Sequence, residues 1–127
     1  MKLATARGKI YVDVGFWGGV VPQNNDDIEA LIGAGVVGLQ CSLSPSAEPV
    51  ANEFPAINKQ QMDALLTKLD NNILIAVHAE EPLAIPIKPN EEEPKSYESF
   101  LRTRPAEMEI NAVHIVAELA LKHKKSV

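Results

Sequence analysis

At 127 residues the chain has the length of one ordinary domain, a size at which folding buries about two-thirds of the unfolded surface. Its 46% apolar and 23% charged residues exclude a disordered polymer. The net charge of −5, with no basic stripe, argues against a nucleic-acid partner, because phosphate contacts need clustered Lys and Arg.

Residues 1–8 are too weakly apolar for a secretory signal, so a cytoplasmic location is expected. Residues 9–15 (KIYVDVG) alternate and stop at glycine, which predicts a strand of about five residues. Phe16-Trp17-Gly18-Gly19 reads as the following turn, with Trp17 either a packing residue or a lid over a pocket. Asn24 or Asn25 is a suitable N-cap for a short helix whose apolar face is Ile28, Leu31 and Ile32. Asp26, Asp27 and Glu29 lie near its positive end, and Gly33 and Gly35 end it.

Residues 36–43 (VVGLQCSL) form a second predicted strand, and their near-continuous apolar character suggests burial on both faces. Cys41 lies inside it, excludes an internal disulfide, suits a reducing compartment and reads as an inert core thiol. Residues 44–55 carry Pro45, Pro49 and Pro55 and read as a loop; nothing marks Ser44 or Ser46 as an activated nucleophile. Asn58 is the expected cap of a helix bearing Met62, Leu65, Leu66 and Leu69 at helical spacing.

Residues 73–81 (ILIAVHAEE) are an apolar run that ends in one imidazole and two carboxylates. A buried parallel strand fits this pattern, and α/β enzymes place their chemistry at such strand ends. His78 is therefore a candidate site residue, although an imidazole can equally close a strand on a backbone carbonyl. Pro82, Pro86, Pro89 and Pro94 then frame a loop with Glu91, Glu92 and Glu93, simplest as a solvated surface. A short helix is predicted over 97–102. The longest begins at Pro105, with Ile110, Val113, Ala117 and Ala120 on one side and Met108, Ile115 and Leu119 widening the stripe. His114 and His123 read as helix residues rather than ligands, and another strand is expected where Ser126 and Val127 stand. No apolar run reaches the ~20 residues of a membrane span. The alternation of strand and helix predicts a parallel sheet with right-handed crossovers.

Four stretches go beyond this patterning. Tyr11-Val12-Asp13-Val14-Gly15-Phe16-Trp17-Gly18-Gly19 resembles the third-strand motif of allantoinases, and Gly35-Val36-Val37-Gly38-Leu39-Gln40 is similar to their fourth strand. Val77-His78-Ala79-Glu80 resembles the fifth, and Thr103-Arg104-Pro105 with Glu109 sits where the family carries an Arg-Pro-x-x-x-Glu pattern. The resemblance runs in order through residues 8–125. It implies an α/β fold: a partial (β/α)8 TIM barrel of about three parallel βα units, strands three to five of the family barrel, forming a single domain over residues 1–127.

The family reaction that the resemblance implies is the hydrolysis of allantoin, a small cyclic ureide, to allantoate in purine catabolism. The family uses two divalent metals, usually zinc, bridged by a carboxylated lysine, and an aspartate moves protons. Carried over residue by residue, His78 matches the fifth-strand metal histidine, and the bridging-lysine position is occupied by Gln40. A glutamine amide takes up no carbon dioxide and carries no charge to offset two cations. The strands that bear the family's other ligands have no counterpart here. The expectation is thus a family segment that is inactive alone and binds no stoichiometric zinc, with self-association through open sheet edges. Two alternatives stand beside it: a non-catalytic, self-associating interaction module derived from the barrel, and an independent three-layer domain with helices on both faces of a flat sheet.

Overall fold

The computed structural model describes residues 2–45, 53–70, 72–82 and 95–127. Ser46, Pro49, Pro86, Pro89, Pro94 and the glutamates at 91–93 lie outside the described residues. A short helix α1 (Lys2–Ala6) precedes β1 (Trp17–Gly19), α2 (Ile28–Gly33), β2 (Gly38–Ser42), α3 (Lys59–Lys68) and β3 (Ile75–His78). Two helices follow, α4 (Tyr97–Arg102) and α5 (Ala106–His123). The strands form one parallel sheet in the order β1-β2-β3.

The first strand is displaced from its predicted place. Tyr11 and Val12 are 98% and 75% exposed, and pairing begins only with Trp17 opposite Gly38. A ladder needs a neighbour, and β2 itself starts at Gly38; upstream, the Phe16 carbonyl accepts the Val37 N–H at 3.0 Å. The predicted turn is therefore the strand. Trp17 packs over Gly38, where a Cβ would come 2.4 Å from the indole ring, so it is a packing residue.

Register decides which side chains share a face. Leu39 pairs with Ile75 and Cys41 with Val77, and Leu39, Cys41 and Ile75 are buried. Against them pack Ile28 of α2, Met62, Leu65 and Leu66 of α3, and Ala112 and Leu119 of α5. The other face carries Gln40, Ala76 and His78, and Gln40 is exposed. Four of the five β2 residues are buried, Gln40 being the exposed one, so burial reaches both faces as expected, while α2, α3 and α5 all contribute to the core against the face of Leu39 and Cys41. An open three-layer domain needs helices on both faces. One-sided cover is the arrangement of a barrel segment, in which helices form an outer ring.

The ends of the helices follow local chemistry. Asn58 Oδ1 accepts the Gln61 N–H at 2.8 Å and Gln61 Oε1 accepts the Asn58 N–H at 2.9 Å, a reciprocal capping box. Neither Asn24 nor Asn25 caps α2; Asp27 holds that position without a side-chain bond. Asn24 instead closes the turn after β1, its Oδ1 accepting the Val21 N–H at 3.0 Å and its Nδ2 donating to the Gly19 carbonyl at 2.9 Å. Gly35 takes φ +86° after α2, a conformation that suits glycine.

In α5 the buried seam is Met108, Ala112 and Leu119, with Ile115 and Val116 partly buried against the core. Ile110 and Val113, both predicted inward, are each 53% exposed. Several apolar residues ring this helix, so the sequence leaves its rotation open, and packing against α3 selects the seam. After α5 the Ser126 carbonyl accepts the Ile75 N–H at 3.3 Å, along the edge of β3 away from β2.

Candidate functional site

The strand ends gather the residues singled out in the sequence. Ser42, the last residue of β2, pairs with His78, the last of β3, and Gln40 pairs with Ala76 one step earlier. Alternation along parallel strands places Gln40, Ser42, Ala76 and His78 on the face away from Leu39 and Cys41, where Gln40 and His78 are exposed and Ser42 is buried. The His78 side chain is 62% exposed. Its carbonyl accepts the Leu43 N–H at 3.1 Å and the Glu80 N–H at 3.2 Å, which fixes the backbone at the exit from the strand.

Two residues on, the Glu80 side chain is only 10% exposed. Arg104 Nη1 donates to Glu80 Oε2 at 2.5 Å, and His78 Nε2 lies 3.7 Å from the same oxygen. The Arg104 guanidinium rests over the Phe100 ring, 5.2 Å from its centroid, a favourable cation–π placement. The Met108 carbonyl accepts the Glu81 N–H at 3.0 Å and ties the start of α5 to the same strand end. The sequence offered both halves of the Glu80–Arg104 pair, but their meeting depends on how α4 and α5 return to the sheet.

The Ser42 hydroxyl is occupied. Ser42 Oγ donates to the Ser44 carbonyl at 2.7 Å and accepts the Ser44 N–H at 3.2 Å, a local turn with no base beside it. Burial pushes the Cys41 thiol up to about 11, which removes thiolate character at neutral pH.

His123 belongs to a separate cluster between α3 and α5. Asp63 Oδ1 lies 2.6 Å from His123 Nε2 and 2.8 Å from Lys122 Nζ. These hydrogen bonds, from His123 first and Lys122 second, hold the Asp63 carboxyl below its ordinary value. His114 is exposed on α5. Both behave as helix residues, as expected.

The donor set does not fit a two-metal centre. Among the described residues no group of three or more His, Cys, Asp or Glu side chains is placed to hold a metal ion. Glu80 is committed to Arg104, and Gln40 offers a neutral amide. A tetrahedral catalytic zinc ordinarily takes three protein ligands, of which a lone imidazole such as His78 could supply one.

Among the described residues no helix is long and apolar enough to cross a membrane. No family model matches the chain. It is 38% identical over 124 residues to "Allantoinase, mitochondrial" of Aquarana catesbeiana, covering 97% of this chain and 25% of that protein. It is 38% identical over 120 residues to the allantoinase of Saccharomyces cerevisiae (93% and 25% covered) and 36% identical over 119 residues to that of Arabidopsis thaliana (89% and 23%). The solved structure of the L-hydantoinase (dihydropyrimidinase) from Arthrobacter aurescens superposes with a TM-score of 0.76 at 22% identity, covering 90% of this chain and 26% of that one, which supports the barrel fold. The chain spans about a quarter of the length of the curated relatives it matches. Along nearly its whole length it belongs to the allantoinase family of cyclic amidohydrolases, as a partial barrel of three parallel strands.

Proposed function

We propose that the chain represents strands three to five of an allantoinase-type hydrolase of cyclic ureides, and that on its own it does not open the ring. The observation that carries this reading is Gln40, an exposed amide on β2 paired with Ala76 of the strand that ends in His78; by the resemblance to the family it stands at the bridging-lysine position. Hydrolysis in this family is generally metal-dependent. A lysine there becomes an anionic carbamate, whereas the glutamine amide forms no carbamate and offsets no metal charge. His78 occupies the position of the fifth-strand ligand, yet a single imidazole falls short of a catalytic zinc site.

The substrate class under this reading is a small cyclic ureide of purine catabolism, by likeness to the allantoinases. Cytoplasmic residence is part of the same reading and is supported by the lone buried thiol of Cys41. The test is an allantoin ring-opening assay on the purified chain supplied with zinc and bicarbonate. Rates equal to the protein-free blank are expected; turnover on the order of 1 s⁻¹, an ordinary enzymatic rate, would overturn the proposal.

A further inference from the structure

Helix α5 presents apolar residues on two opposite sides. Met108, Ala112 and Leu119 are buried, with Ile115 partly buried beside them. A second set, Ile110, Val113, Ala117 and Leu121, follows at spacings of three, four and four residues. At 3.6 residues per turn these four lie about half a turn around the helix from the buried seam. All four are exposed, Leu121 to 80%. Apolar residues exposed singly are ordinary on a protein surface. Four in register along about three turns of one helix make a stripe, and this three–four spacing is the one with which paired helices interlock their side chains.

The charges at the helix ends select the occupant. Glu107 and Glu109 lie in the first turn of α5, and the exposed Lys124 is its C-cap. When two α5 helices pack antiparallel about a two-fold axis, Ile110 of one copy meets Leu121 of the other, and Val113 meets Ala117. The same register sets Glu107 against Lys124, once at each end of the pair. Parallel packing would instead set Glu107 beside Glu107 and Lys124 beside Lys124. Antiparallel packing also opposes the two helix macrodipoles. The stripe is therefore complementary to itself in one orientation, which gives a closed, isologous contact.

We infer that the outward stripe of α5 is a docking surface for a second copy of this chain, joined as an antiparallel helix pair with Val113 and Ala117 at its centre and Glu107–Lys124 contacts at its ends. The contact does not involve the sheet edges, Gln40 or His78, and it is independent of the hydrolase reading. A single helix pair is a small interface, so the association is reversible and depends on concentration.

Sedimentation equilibrium of the whole chain, from micromolar to millimolar concentration at low ionic strength, is the test. A monomer–dimer step is expected in the wild type. Val113→Glu places a charge at the centre of the stripe and is expected to weaken that step roughly tenfold or more, with circular dichroism unchanged. Glu107→Lys and Lys124→Glu should each self-associate about tenfold more weakly. An equal mixture of those two chains should regain the wild-type constant, because the mixed pair recovers opposite charges at both ends. Leu121→Glu takes the place of Val113→Glu should the latter fail to fold. A wild type that stays monomeric throughout overturns the inference. Association unchanged in the folded Val113→Glu or Leu121→Glu chain also overturns it and assigns the contact to the sheet edges, and a mixture no tighter than its two components overturns the antiparallel pairing.

Discussion

A Cβ at Gly38 would stand 2.4 Å from the Trp17 ring and 2.8 Å from the Leu74 carbonyl oxygen. The backbone atom cannot move aside without disturbing the β2–β3 ladder, which the Leu39 N–H bond to that same carbonyl helps to hold. Gly38→Ala is accordingly expected to cost about 1–3 kcal/mol, the usual range for overpacking, read as a lower urea midpoint at an unchanged slope. Cys41 gives a second residue-scale expectation. With its thiol pushed up to about 11 by burial, it should stay unlabelled by a disulfide reagent at pH 8 and react fully once urea unfolds the chain, because the thiolate is the reactive species. Both residues could be partly read in the sequence: Cys41 within an apolar run is a core thiol on pattern alone. The close approach at Gly38 could not be read, since it comes from a ring 21 positions away in the chain.

Among the elements, those with local signals were the legible ones. Asn58 followed by Gln61 specifies the start of α3 through bonds made within four residues. Replacing Asn58 with Ala is expected to cost about 0.5–2 kcal/mol, the range for a lost N-cap, again from urea unfolding. Proline before Ala106 marks the start of α5 as plainly, whereas the cap of α4, the Ser96 hydroxyl accepting the Ser99 N–H at 3.1 Å, emerges only in the structure. The elements that escaped prediction depend on partners. The alternation at residues 9–15 resembles a strand, yet a strand exists only where another backbone lies alongside, and that begins at Trp17. Likewise α5 has apolar residues on more than one side, and only α3 decides that Ala112 is buried and Val113 is not.

The pairing of α3 with α5 also has an acid signature. His123 and Lys122 hold the Asp63 carboxyl below its ordinary value of 3.8 in the folded chain. A lowered folded value means that the contribution is complete above the ordinary value and is lost as pH falls through the folded one. Thermal melts of wild type and Asp63→Asn should therefore differ most near neutral pH and converge below about pH 3.8, the ordinary value. A gap that persists or widens in acid would contradict this account of the contact.

At the scale of the molecule, three parallel strands with their core under one face make a barrel segment. The four motifs in register made this legible, and the position of Gln40 was legible with it. The edge of β1 away from β2 has no strand partner among the described residues, and beside β3 only Ser126 contributes a bond. We propose that these edges pair between copies, as exposed strand edges tend to do. Light scattering coupled to size exclusion should show mass rising with concentration, and a monomer at every concentration would count against the idea. The central claim is that a partial allantoinase barrel with Gln40 in the bridging position has no working metal centre. Its most direct test is equilibrium dialysis of the chain against zinc and bicarbonate, followed by elemental analysis. The account predicts no stoichiometric zinc in the wild type and no change in His78→Ala; zinc bound at one or two equivalents and lost in that variant would contradict it.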